Sequence, residues 1–223
     1  MQITLAQALS ATKSHGAPEV EQTYARARAL CAQVGETPQL FPALWGLWRF
    51  YHTRGALPTV RELGEQLLLL AEREADPTHC MEAHAALGQT LLSLGEYAAA
   101  RTHREQGIAR TDQTMQWALV LRHGEAPGVR CLGVAADTLW CLGYPAQAVQ
   151  RSQEALTLAQ ALTHPYSLAT AEFYAIRLHH YRSEVRAIQV QADSLLTLAT
   201  AQRFPQWVAH GTFWQGWILA MQG

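Results

Sequence analysis

The sequence is almost without lysine: of its 17 basic residues only Lys13 is not arginine. A phosphate-binding P-loop needs a glycine-rich run ending in Gly-Lys-Ser/Thr, and Lys13 follows Thr12 with no such run, so that site is excluded. Cysteine is sparse as well. Cys31, Cys80, Cys131 and Cys141 fall inside helical patterns with neither CxxC spacing nor the density of a secreted disulfide framework, which points to a reducing compartment. Net charge is nearly absent, at −1, so nothing in the charge balance attracts the chain to nucleic acid or to an anionic membrane. The opening segment MQITLAQALSATKSHG lacks a basic stretch followed by an unbroken apolar core. No run approaches the roughly 18 apolar residues of a membrane span. A cytoplasmic location follows as the expectation. GxSxG, HExxH and HRD signatures are missing too, and no nucleophile stands beside a base. The expectation is therefore no catalytic residue, no cofactor and no metal in this chain.

What is present is a helical hairpin, over residues 82–110, EAHAALGQTLLSLGEYAAARTHREQGIAR. Leu87, Leu91, Leu92 and Leu94 form an apolar stripe, Gly95-Glu96 interrupts it, and Tyr97, Ala98, Ala100 and Ile108 carry a second helix rich in small residues. The alternation of His84, Leu87, Gly88, Leu91, Gly95, Tyr97 and Ala100 follows the small/large pattern of a tetratricopeptide repeat. Gly88 and Ala100 stand where two helices approach closely. The same punctuation recurs at a period of about 40 residues. It predicts an all-α, right-handed tetratricopeptide-like solenoid forming one domain over 1–223. The expected hairpins span approximately 2–36, 41–76, 80–110, 129–163 and 167–202, followed by a closing helix at 207–222. Residues 111–128 read as an irregular insertion, with a short helical turn at 115–122 and a helix-incompatible Gly-Glu-Ala-Pro-Gly end. Val208, Phe213, Trp214, Trp217, Ile218 and Leu219 give the closing helix no polar cap. From this follows an expectation of a fragment cut from a longer array, able to self-associate through its C-terminal end.

Beyond that pattern, the runs YARARALCAQVGETPQLFPALWGLWRFYHTRG, EAHAALGQTLLSLGEYAAARTHREQGIA, GVRCLGVAADTLWCLGYPAQAVQRSQEALTLAQAL and HPYSLATAEFYAIRLHHYR resemble the C-terminal repeat region of large bacterial signalling proteins. In that family a nucleotide cyclase or protein kinase domain is followed by an AAA-type or STAND-type ATPase and then by such repeats. The resemblance implies a non-catalytic interaction and regulatory module whose partner is a protein or peptide, with other domains of the same parent chain as candidates. Its catalytic residues would lie in domains outside these repeats. The chain departs from the family at Ala126, where an Asp precedes Pro-Gly-Val. An alternative from another class is a repeat domain that senses a small-molecule effector for a signalling or transcription-regulating ATPase.

The expected binding surface is the concave face lined by first helices. Laid on the repeat pattern, it takes in Trp45, Arg49, His52, Glu82, Gln89, Arg130, Asp137, Trp140, Glu172, His179, Phe213 and Trp217. Aromatic anchors beside charges of both signs suit a peptide or a folded domain. Two alternatives stay open: Trp45, Trp140 and Trp217 as inter-repeat core instead, and Arg130 and Asp137 as members of ion pairs between repeats. Cys80 and His84 share a helical face at i, i+4, but two ligands make no zinc site, and the adjacent His179 and His180 diverge by about 100°.

Overall fold

Proline marks where the helices begin. Seven of the nine prolines occupy the first or second position of a helix, where the missing N–H costs nothing because it would have no intrahelical acceptor. The computed structural model describes residues 2–13, 15–34, 38–110, 116–117, 119–120 and 124–222. Among these residues there is no strand. The helices are α1 Gln2–Lys13, α2 Pro18–Val34, α3 Leu40–Thr53, α4 Leu57–Glu74, α5 Pro77–Ser93 and α6 Tyr97–Ala109. They continue as α7 Pro127–Cys141, α8 Pro145–Ala161, α9 Pro165–Tyr181, α10 Val185–Gln202 and α11 Pro205–Gln222. No helix among the described residues is long and apolar enough to cross a membrane. Residues 14 and 35–37, at helix ends of the first expected hairpin, lie outside the described residues, as does half of the expected turn at 115–122.

Helix ends follow from local chemistry. At the start of α5 the Asp76 carboxylate accepts hydrogen bonds from the Thr78 and His79 amides at 2.8 and 3.1 Å, satisfying two donors that the helix itself cannot. α7 lacks such a cap, because Ala126 stands at its N-cap. Its first-turn amides are met from elsewhere: Gly128 donates to Oε1 of Gln116 at 2.7 Å, and Ala126 donates to Oγ of Ser167 at 3.0 Å. Gly95 and Gly143 end the turns after α5 and α7 with φ of 79° and 83°, a left-handed conformation that costs glycine little.

The chain divides into two compact units, Met1–Glu96 and Tyr97–Gly223. In the first, each helix packs on the next, and α3 also touches α1 and α5. Its core gathers Tyr24, Phe41, Leu44, Leu47, Trp48, Val60, Leu63 and Leu67. In the second, α6 through α11 again pack in sequence, and α7 also meets α9 directly. That contact between alternate helices is what a stack of hairpins requires, since each hairpin must bury its open face on its neighbour. Close approach falls at Gly46, where a Cβ would lie 2.3 Å from the Tyr24 ring, and at Gly133, where one would lie 2.5 Å from the Tyr174 ring. Gly88 and Ala100, which the repeat pattern assigns the same role, are both buried.

Candidate functional site

Within the first unit, α3 presents a run of rings. Phe41 stacks on His79 at 3.9 Å between centroids and on Trp45 at 6.5 Å; Trp45 lies 5.3 Å from Trp48, and Trp48 5.2 Å from His52. The spacing is that of one helical face, i, i+4, i+7 and i+11. Trp48 is core, with its indole N–H donating to Oγ1 of Thr90 at 3.0 Å. Trp45, Arg49 and His52 are each partly exposed, so aromatic surface and a guanidinium reach solvent together. Glu82 and Gln89, also expected on this face, are buried in α5, a helix enclosed over most of its circumference.

In the second unit the charged residues do not line an open wall. They converge on Tyr174, a buried phenol on α9. Its pKa is pushed up by burial, pulled back by Arg130 and Arg177, raised by Asp137 and lowered again by Arg104. Arg130 on α7 makes a two-pronged pair with Glu125, its Nε lying 2.7 Å from Oε1 and its Nη2 on Oε2. Asp137, two turns along α7, is fully enclosed and pairs with Arg177 of α9 at 3.2 Å. Neither Asp137 oxygen accepts a hydrogen bond, so the pair is held by charge rather than by an aligned donor. Burial pushes the Asp137 carboxyl up to about 7, against the opposing pull of Arg177 and Arg104. For Arg177 burial disfavours the cation, yet Asp137, Tyr174 and Tyr181 more than offset it and its pKa is raised. Arg104 enters from α6, fully buried, with Nη1 3.8 Å from Sγ of Cys131.

Of the residues expected on the face in this unit, Arg130 and Asp137 are thus brought into one cluster, each already in an ion pair. Sequence reasoning missed Arg104, Tyr174 and Arg177. A signal was available for the last: Arg177 follows Asp137 by forty positions, one repeat period, which places the two at the same phase of successive first helices. Trp140 is half-buried and stacks on Tyr181 at 6.2 Å. Glu172 is buried, accepting from the Ser194 hydroxyl at 2.7 Å through one oxygen, and burial raises its pKa despite that bond. The Nδ1 of His179 lies 2.7 Å from a Glu184 carboxylate oxygen. Trp217 is half-buried 5.1 Å from the His180 ring, while Phe213 is 62% exposed.

A small cleft between α6, α7 and α8 adds Arg101, Glu105, Gln147 and Arg151 around Arg104. Two of its arginines are engaged, Arg101 with Glu105 and Arg151 with Glu154. Among the described residues no three His, Cys, Asp or Glu side chains gather to hold a metal ion. His84 is buried and Cys80 half-buried.

No protein-family model matches the chain, and no curated protein matches it. Solved structures do. Two structures of a kinesin light chain-like protein from Podosopora anserina, one a single-residue variant, contain nearly identical TPR-like repeats. They match with TM-scores of 0.60 and 0.58, each at 18% identity and over 91% of this chain and 95% of theirs. At that identity the likeness shows the fold: an all-α array of tetratricopeptide-like helical repeats.

Proposed function

We propose that this chain is a non-catalytic interaction module that binds a protein or peptide, and that it serves as the regulatory repeat region of a larger signalling protein carrying an ATPase with a cyclase or kinase domain. One observation carries the reading: on α3, α7 and α9, first helices of their hairpins, the partly exposed side chains include aromatics and arginines. Trp45 and His52 flank Arg49 on α3, and Trp140 of α7 stacks on Tyr181 of α9, whose hydroxyl accepts from Arg177. Large rings supply contact area at low entropic cost, and guanidinium groups select carboxylates, so such a surface suits a polypeptide partner. The tetratricopeptide-like fold supports this reading by presenting first helices side by side. Its partner would be another domain of the same parent chain, and the setting cytoplasmic.

The test begins with the native open reading frame. Domains encoded beside this segment are produced separately and titrated against it by calorimetry. Saturable binding that Trp45→Ala weakens by about 1–3 kcal/mol, with the melting temperature nearly kept, is the expected result. Lack of binding by every neighbouring domain, together with a metabolite hit in a thermal-shift screen, would favour the second reading. In that case the array senses a small effector, a role for which the half-buried arginines around Tyr174 supply the polar contacts.

A further inference from the structure

Arg177 and Arg130 are partly exposed, with side chains 31% and 20% exposed, whereas the carboxylates they hold are nearly enclosed at 1% and 5%. The two ion pairs differ in quality. Glu125 takes two donors from Arg130 in the forked geometry that suits guanidinium and carboxylate, while Asp137 takes none from Arg177 in hydrogen-bonding alignment. Arg177 is thus a partly exposed arginine whose inner carboxylate takes no aligned hydrogen bond from it, and whose Nη2 donates to the Tyr181 hydroxyl instead. Around it stand a Tyr181 hydroxyl at 3.0 Å and the faces of Phe173 and Tyr174, each 5.8 Å from the guanidinium carbon. Both rings lie within cation–π reach of the guanidinium and so favour its charged form at this position.

We propose that this cluster is a receptor for one oxyanion, which binds Arg177 from the solvent side and replaces Asp137 as its counter-ion, with Arg130 and Arg104 adding to the positive field. The shared chemistry is that of a carboxylate or a phosphate-like group, and the site does not depend on whether a polypeptide or a small effector carries it.

Proton uptake accompanies the exchange. Once its arginine turns to the ligand, a buried Asp137 has lost its main compensation, and the enclosed carboxyl takes a proton. The groups facing it are Arg104 from α6, Tyr174, Arg177 and Tyr181 from α9, and Cys141 on its own helix. Among the described residues, none of the groups acting on it comes from α8, the other helix packed on α7. Burial already holds Asp137 near the point of protonation at neutral pH, so binding is easiest on the acid side.

The experiment uses the full chain, with sulfate and succinate as separate probes against a chloride background of constant ionic strength. Sulfate keeps its charge across the range and succinate gains only a minor monoanion fraction at the acid end, so a pH dependence shared by both, or seen with sulfate, belongs to the protein. Calorimetry between pH about 6.5 and about 8.5 should show one saturable site whose dissociation constant rises toward about tenfold per pH unit above neutrality. Heats in two buffers of different ionisation enthalpy should report uptake of about one proton on the alkaline side. Binding of sulfate alone, of succinate alone or of both supports the site, and each of these outcomes names its source. Arg177→Gln should abolish binding. Asp137→Asn should bind at the alkaline end as the unmodified chain does at the acid end, with the pH dependence gone. The proposal is overturned by absence of saturable binding of both probes at the acid end, or by binding in the unmodified chain without pH dependence or proton uptake. These measurements need no variant to fold.

Discussion

Substituting Gly133 by alanine adds one methyl group to α7, and the structure fixes what that group meets. The new Cβ would lie 2.5 Å from Cδ2 and Cγ of Tyr174 and 2.8 Å from its Cβ. Swinging the ring about χ1 cannot relieve the last contact, because Cβ moves only with the α9 backbone. The ring itself is 8% exposed and enclosed by the arginine cluster. Either α7 and α9 part or Tyr174 leaves its rotamer, and overpacking of this kind costs about 1–3 kcal/mol. Alanine repays about 0.5–1 kcal/mol of that through its better helix propensity. Placing the cost at its upper end, the net loss is about 2 kcal/mol. Gly216→Ala, in α11 of the same unit, is the control. Beyond its own helical backbone, nothing lies within 4 Å of the position its methyl group would take, so only the propensity gain of about 0.5–1 kcal/mol remains. The same chemical change therefore has opposite signs at two sites. For a unit of this size about 1 kcal/mol moves the melting temperature by about 4 °C, so circular dichroism should place the two variants roughly 10 °C apart. If Gly133→Ala melts with or above Gly216→Ala, the close packing of α7 on α9 is refuted, and with it the geometry of the arginine cluster.

Further outcomes follow from other residues. The folded pKa of Asp137, about 7, lies above its unfolded value, so its contribution to stability is full below the unfolded pKa and is lost as pH rises through about 7. Asp137→Asn should flatten that decline and raise the melting temperature at alkaline pH relative to the unmodified chain; parallel pH–melting curves would contradict the burial argument. Gln116→Ala removes the acceptor of the Gly128 amide and should cost about 1–3 kcal/mol in a urea titration, while an unchanged midpoint would mean the amide finds another partner. Phe213 and Leu219 are 62% and 69% exposed on α11, and replacing both by glutamate should leave melting nearly unchanged while reducing self-association seen by sedimentation at high concentration. A chain that sediments as a monomer before substitution would remove that expectation.

Helix boundaries were legible because proline and glycine act locally: a missing N–H or a left-handed φ constrains its own turn whatever the rest of the chain does. Thus α4 starts with Pro58 in its first turn and α5 ends before Gly95, as the spacing implies. The site was less legible, since it depends on which residue of a helix faces which neighbour. Gly88 carries the repeat pattern, yet the ring contacts fall at Gly46 and Gly133, whose partners Tyr24 and Tyr174 lie on other helices. Arg130 and Asp137 are visible in the sequence as charges on one face, two turns apart. Their partners are not, because Glu125 sits in the segment before α7 and Arg177 a full repeat later. The repeat pattern picks out Trp45 and passes over Trp48, although Trp48 is the buried ring on which both Trp45 and His52 stack.

The Ser167 hydroxyl that receives the Ala126 amide is itself 2.9 Å from Nδ1 of His164, the residue capping α9. One hydroxyl therefore serves the first turns of two helices that the chain makes far apart in time. Until α9 has formed, the start of α7 lacks an acceptor for a buried donor, and an unmet donor of that kind costs about 1–3 kcal/mol. During synthesis the α7–α8 hairpin would emerge with its entry turn frayed and would lock only when the following hairpin docks. In a linear array, where coupling between neighbours sets cooperativity, this bond moves part of the stability of one hairpin into its junction with the next. Chains ending after α8 should accordingly show amide exchange at the head of α7 far faster than the full chain does, with the body of the helix less affected.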